Sequence, residues 1–274
     1  MIRAAFFDID GTLLSHKTGR IPASAVRAVR FLHEQGVLLF IATGRHIREM
    51  DEVPGLMSLP WDGFVTLDGQ YCTDRTEAYF KNPMDPEDVE NLIIHTERLQ
   101  IPCMFVEEKE MYVSRVSERV ARIQALLRLP PVPQRDLAQC RSHEILLAAT
   151  YCLPAEQAIL MRELKHARTA QWHDFGFDIF HSGGGKDVGI RKTCERFGFS
   201  PEETIAFGDS ENDLNMLRCV GIGIAMGNAT EEVKRVCDFV TAGIDEDGIE
   251  RALQALRSGI TKGGGHETLH HHKI

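Results

Sequence analysis

The sequence predicts an α/β protein: an open, doubly wound parallel sheet interrupted by an inserted α+β module. Three observations lead there. Short continuous apolar runs recur at 2–7, 37–42, 63–67, 204–208 and 221–226, and strands covered on both faces read as runs rather than as alternation. Amphipathic stretches lie between them, giving strand–helix–strand units. The pattern lapses over 83–182 and resumes after the glycine run Gly183-Gly184-Gly185.

The elements follow in order. Residues 2–7 form the first strand. PASAVRAVRFLHEQ (22–35) places Pro at the first helical position and apolar residues at Val26, Val29 and Leu32, and Gly36 stops the helix. VLLFIA (37–42) is a second strand ending at Thr43-Gly44-Arg45, and a helix is expected from there to about Met57. GFVTL (63–67) is a third strand. After the module come a helix near 187–197, the strand TIAFG, a helix over 211–217, the strand GIGIAM and a helix over 229–237. Thr230 is its N-cap, with Glu231 and Glu232 in the first turn. A short strand at 238–241 and a helix at 246–258 close the pattern. The expected domains are therefore a Rossmann-like core of 1–82 and 183–260 and an insert of 83–182. Asn82-Pro83 and the glycine run act as hinges. Within the insert, DPEDVENLIIHTERLQ is a helix, CMFV and MYV are strands, a helix follows, EILLAATY is a strand, another helix starts at 154 and a strand pair closes near 168–180. Trp172 and Phe175 read as core, with a ligand pocket as the alternative.

Composition narrows the class. The chain has 274 residues, 43% hydrophobic and 26% charged, with a net charge of −9. It is long enough for two domains, and its acidity argues against nucleic acid as a partner. The seven cysteines are scattered without a C-x-x-C pair, the pattern of reduced thiols in a cytoplasmic protein. No apolar run approaches the ~18 residues of a membrane span. The tail over 261–274, ending HHHKI, has no periodicity and is expected to be disordered and outside the fold.

In an open parallel sheet, ligands bind beyond the carboxyl ends of the strands. Four polar signatures fall at such ends. Asp8 and Asp10 end the first strand, Thr43-Gly44-Arg45 the second, and Gly208-Asp209-Ser210 the strand TIAFG, while Lys186 follows the glycine run. Two carboxylates about 4 Å apart repel by about 4 kcal/mol at an effective dielectric near 20, so a positive group is needed there. Both can reach one ion only if the chain turns at Asp10, which Gly11 permits. Thr43 and Gly44 offer a hydroxyl and backbone N–H groups at a helix N-terminus, an anion site. Asp209 and Asp213, four apart, share a helical face if a helix starts near Asp209. Read alone, Lys186 is as well explained as a solvated linker lysine. A nucleotide-binding P-loop is excluded, because Phe180 stands where glycine is needed and Asp187 where a hydroxyl is needed. His143-Glu144 lacks the second histidine of a zinc helix. Three carboxylates, one lysine and one threonine around a crevice suit Mg²⁺ with a phosphate oxygen.

D-I-D-G-T (8–12), T-G-R (43–45), Lys186 and G-D-S-E-N-D (208–213) resemble the four motifs of the haloacid dehalogenase superfamily. ATGR, GDSENDLNML and GIGIAMGNATEEVK resemble its Cof-type sugar-phosphate phosphatases with a type IIB α/β cap. The resemblance implies a Mg²⁺-dependent phosphatase acting on a small phosphorylated metabolite. It makes Asp8 the nucleophile, Asp10 the general acid and base, and Thr43, Gly44, Lys186 and Asn212 the phosphate-binding groups. Asp8, Asp10 (through its carbonyl) and Asp209 would hold the metal, and Asp213 would support Lys186. An acid, rather than a hydrophobe, two residues after the nucleophile favours a phosphatase over a dehalogenase. A monomer or weak homo-oligomer is expected. The alternatives are a phosphoryl transferase or mutase on the same fold and a non-catalytic phosphometabolite-binding protein. Asp68-Gly69 and Asp187 depart from the Asn-Gly and glycine usual in relatives.

Overall fold

The structure, a computed structural model, describes residues 1–127 and 131–258; the tail read above lies outside them. In chain order the elements are β1 (Ala4–Phe7), α1 (Ala23–Glu34), β2 (Leu38–Ala42), β3 (Gly63–Thr66), β4 (Tyr71–Asp74) and β5 (Ala78–Lys81). Next are α2 (Pro86–Leu99), β6 (Cys103–Val106), β7 (Met111–Val113), α3 (Glu118–Leu127), β8 (Leu147–Thr150), α4 (Pro154–Met161), β9 (Ala167–His173) and β10 (Gly176–His181). The chain closes with α5 (Lys186–Phe197), β11 (Thr204–Gly208), α6 (Leu214–Cys219), β12 (Ile222–Ala225), α7 (Glu231–Val236), β13 (Phe239–Val240) and α8 (Gly248–Arg257). Two compact units result, Met1–Phe80 with Gly185–Ile274, and Lys81–Gly184.

The first unit is built on an eight-stranded sheet of order β13-β12-β11-β1-β2-β3-β4-β5. From β13 to β3 every pairing is parallel, and β4 runs antiparallel to β3. The apolar runs are continuous because both faces are covered. Phe7, Ile41 and Phe207 face a cluster completed by Val29 and Leu32 of α1 and Leu253 of α8. Phe6, Phe40 and Ala206 face Ile190 of α5, Leu217 of α6 and Val233 of α7. Rings bridge neighbouring strands, Phe6 on Phe40 at 5.1 Å and Phe7 on Phe207 at 5.0 Å between centroids. From β1 the chain moves to β2 on one side, while β11 lies on the other. The order therefore reverses between β1 and β11, and a ligand crevice belongs at their carboxyl ends.

Two expectations fail here. No α-helix runs from Arg45 to Met57; that stretch holds 3₁₀ turns at Ile47–Glu49 and Leu56–Ser58. Pro54 brings no N–H donor to a helix, and Gly55 has φ +83°. The strands β4 and β5 went unread. They extend the sheet at an edge, where Tyr71–Asp74 is only half apolar. The Thr230 cap is present, its hydroxyl accepting from the Val233 N–H.

The second unit is a five-stranded antiparallel sheet of order β7-β6-β8-β10-β9. Val89, Leu92 and Ile93 of α2 and Leu160 of α4 pack on Phe105, Ala148, Phe177 and Ile179. A smaller cluster gathers Val120 and Ile123 of α3 with Val113 and Tyr151. Trp172 and Phe175 pack against that cluster, and the Trp172 indole N–H donates to Asp178 Oδ1 at 2.9 Å. Both residues are only partly buried, at the margin of that cluster.

All seven cysteines are free, and no helix among the described residues is long and apolar enough to cross a membrane.

Phe7 is fully buried between two aromatic neighbours. Phe7→Ala is expected to cost about 3–5 kcal/mol, the range for truncating a core phenylalanine. Urea denaturation followed by circular dichroism measures it, and a loss under about 1 kcal/mol would contradict the packing described.

Candidate active site

Asp8 stands one residue beyond β1, its N–H still extending the ladder to the Phe207 carbonyl at 3.0 Å. The side chain is buried, only 5% exposed. The chain then turns, as the sequence required. Gly11 has φ +82°, and a β-carbon there would lie 2.2 Å from Asp209 Oδ2. Glycine is needed on both counts. Thr12 donates from its hydroxyl to Asp209 Oδ1 at 2.9 Å, and the Asn228 amide donates to the Gly11 carbonyl at 2.8 Å. The loop after β1 is thereby tied to the loops after β11 and β12.

Lys186 opens α5, and its side chain is completely buried. The ammonium donates to Asp8 Oδ1 and to Asp213 Oδ1, each at 2.7 Å. A solvated linker lysine is thus ruled out. Asp187 occupies the first turn of α5, where a negative charge complements the helix dipole.

Asp209 and Asp213 meet for a different reason than a shared helical face. A 3₁₀ turn covers Glu211–Asp213 and α6 starts only at Leu214. Asp213 Oδ2 accepts from the backbone N–H of Asp209 at 2.9 Å and of Ser210 at 3.1 Å. With Lys186 on Oδ1, both Asp213 oxygens are engaged, which suits a supporting role. Carboxylate oxygens of Asp8, Asp209 and Asp213 lie within 4.8 Å of one another. Such an all-oxygen set fits a hard divalent cation such as Mg²⁺; Asp8 and Asp209 are its natural side-chain ligands.

The charges explain why a cation fits. Three acids and one ammonium share a buried space. Burial first, then Asp213, raises Asp209 from 3.8 to about 7, against the Thr12 hydrogen bond. Burial likewise pushes Asp8 well up, opposed by Lys186 and assisted by Asp213, Asp209 and Asp10. Burial on its own would lower the Lys186 ammonium, but Asp213, Asp8 and Asp68 outweigh it and hold it charged. One ammonium does not balance these carboxylates. A second positive charge would relieve the burial and mutual repulsion that raise Asp8 and Asp209.

The loop after β2 supplies Thr43, buried at 1% exposure. Its hydroxyl accepts from the Arg45 N–H at 3.2 Å and its N–H donates to the Val65 carbonyl at 2.9 Å. Gly44 sits between them, before a 3₁₀ turn rather than an α-helix. Arg45 does something unforeseen. It grips Asp10 bidentately, Nε to Oδ2 and Nη2 to Oδ1, both at 2.7 Å. The Asn212 amide donates to Asp68 Oδ1 at 3.2 Å. The structure thus gathers Asp8, Lys186, Asp209 and Asp213 into one cluster, and Asp10 and Asn212 are held by Arg45 and Asp68. Sequence reasoning gave no role to Thr12, Arg45, Asp68 or Asn228. Thr12, Arg45 and Asn228 stood inside the quoted motifs, and Asp68 was noticed only as a departure from the usual Asn-Gly.

Residues 5–253 match the haloacid dehalogenase-like hydrolases. The putative phosphatase YkrA of Bacillus subtilis is 33% identical over 255 residues, covering 92% of this chain and 96% of its own length. The pyridoxal phosphate phosphatase YbhA of Escherichia coli is 27% identical, covering 92% and 97%. A solved subclass IIB sugar phosphatase superposes with a TM-score of 0.86 at 35% identity, covering 94% of this chain and 99% of that one. The chain belongs to the haloacid dehalogenase-like hydrolases and is an enzyme of the phosphomonoester phosphatase type.

The raised Asp209 carboxyl gives a pH signature. Between 3.8 and about 7 the folded chain holds a proton that the unfolded chain has released. Metal-free stability therefore falls as pH rises through that window. A cation displaces the proton, so its affinity climbs over the same range. Thermal melts with and without Mg²⁺ should show a larger gain in Tm at pH 7.5 than at pH 5. Equal gains would contradict the charge balance described.

Proposed function

We propose that the enzyme is a Mg²⁺-dependent phosphatase of small phosphorylated metabolites, sugar phosphates foremost, working through an aspartyl-phosphate on Asp8. The observation that carries this is the buried Asp8 carboxylate at a strand end, bonded to Lys186 and within 4.8 Å of Asp209. Simple phosphate binding needs no buried carboxylate facing the anion.

In this reading Asp8 attacks phosphorus and the bond to the leaving alcohol oxygen breaks. Asp10 gives that oxygen its proton, then takes one from the water that attacks the phosphorylated Asp8, releasing phosphate and restoring the carboxylate. Thr43, the Gly44 backbone, Lys186 and Asn212 hold the phosphoryl oxygens, and their donors are worth most where charge builds up. The Asp8 and Asp209 side chains and the Asp10 carbonyl would hold Mg²⁺, which supplies the positive charge that lets an anionic nucleophile approach an anionic phosphate. Asp213 keeps Lys186 in place. Arg45 engages both Asp10 oxygens, so proton donation requires that carboxylate to turn out of the guanidinium's grip. The inserted unit serves as the cap that excludes water during attack. Sugar phosphates come first because the subclass IIB structural neighbour is a sugar phosphatase. The seven free thiols suit a cytoplasmic enzyme, and we expect a monomer or weak homo-oligomer.

A screen of sugar phosphates, nucleotides and cofactor phosphates should show Mg²⁺-dependent release of inorganic phosphate to water without an acceptor alcohol. Chelator should abolish it, and Asp8→Asn should lower kcat by roughly 10³-fold or more, as expected for loss of a nucleophile. Hydrolysis unaffected by chelator, or retained by Asp8→Asn, would overturn the reading. Turnover only with an acceptor alcohol would make the enzyme a transferase.

A further inference from the structure

Asp68 is a buried carboxylate, 2% exposed, at the end of β3. Its backbone is left-handed, φ 50° and ψ 39°, a conformation that non-glycine residues adopt at a cost. The turn that carries it touches three loops of the site. The Asp68 N–H donates to the Thr43 carbonyl at 3.1 Å and the Leu67 N–H to the Arg45 carbonyl at 3.2 Å. Gly69, φ +85°, lies so close to the start of α5 that a β-carbon would come within 2.0 Å of the Gly185 carbonyl oxygen. The carboxylate itself accepts from the Asn212 amide at 3.2 Å and adds to the negative field that keeps Lys186 charged.

An asparagine amide presents N–H₂ on one side and a carbonyl on the other, and either end can face a ligand. A carboxylate accepts only, so it selects the N–H₂ end. One Asn212 hydrogen is then committed to Asp68 and the other remains to donate. We propose that Asp68 is a positioning residue for phosphoryl transfer, fixing the Asn212 amide so that it offers an N–H, never a carbonyl, to the phosphoryl group. This rests on the phosphatase reading above. The turn is the means: wedged between the loop after β2 and the start of α5, it delivers the carboxylate to Asn212.

The test is steady-state kinetics on the best substrate of the screen, with wild type, Asp68→Ala, Asp68→Asn, Asn212→Ala and Asp68→Ala/Asn212→Ala. Asp68→Ala should lower kcat and kcat/KM together, roughly tenfold to a hundredfold, the range for a misplaced or missing donor, with KM little changed. Asp68→Asn keeps an oxygen acceptor but adds a competing N–H₂ donor, so it no longer selects one end of the Asn212 amide, and its kcat should fall between those of wild type and Asp68→Ala. In the double variant the Asp68→Ala effect should vanish, because the two residues act as one unit. Thermal melts establish that each variant is folded. Should Asp68→Ala not fold, Asp68→Asn still decides: kcat lowered about threefold or more with KM little changed supports the proposal, and kcat equal to wild type overturns it. Asp68→Ala with wild-type kcat, or additive effects in the double variant, also overturns it. Absence of phosphatase turnover in wild type would instead overturn the function itself, and the proposal with it.

Discussion

The site depends on one arrangement, an ammonium with no access to water held between two carboxylates. Lys186 bonds Asp8 on one side and Asp213 on the other, each at 2.7 Å. Burying three ions costs several kcal/mol each unless geometry and further hydrogen bonds compensate. Compensation comes from the backbone. Asp213 takes two N–H groups from the loop after β11, and Asp8 sits in the last rung of the β1 ladder. The sheet topology does the rest, because the order reverses between the two strands that carry these acids. Residues nearly 180 apart in the chain are thereby brought to one rim.

That arrangement leaves the cluster short of positive charge by design. A fully compensated cluster would gain less from a cation. The mutual repulsion of Asp8 and Asp209, kept out of solvent, is what a divalent ion can relieve. Glycine governs how close these groups come: at position 11 any side chain would overlap the Asp209 carboxylate. The tight fit and the electrostatic deficit are two aspects of one local packing.

Much of the parallel sheet was legible in the sequence because strands buried on both faces are written as continuous apolar runs. The acids were legible because charges at the ends of such runs have no structural purpose. β4 and the edge strand β5 were not, since both are only partly buried and lose the run signature. The stretch 45–57 misled because apolar residues at helical spacing are present, while Pro54 and Gly55 deny it a regular backbone. The pairing of Asp209 with Asp213 was anticipated, but its cause was not. Spacing suggested a helix face, whereas the link is a side chain capping a turn, which no periodicity reports. Arg45 and Asp68 were harder still. Each acts on a partner 35 or 144 positions away, and that partnership exists only once the loops are assembled.

The inserted unit leaves from β5, an edge strand, and the chain returns at Gly185, just ahead of the helix that begins with Lys186. Its hydrophobic cluster shares no residue with the two that sandwich the parallel sheet. Among the described residues, the side chains of those two clusters all come from outside 81–184. A lineage built on this plan is free to graft new recognition surfaces while its chemical machinery stays constant.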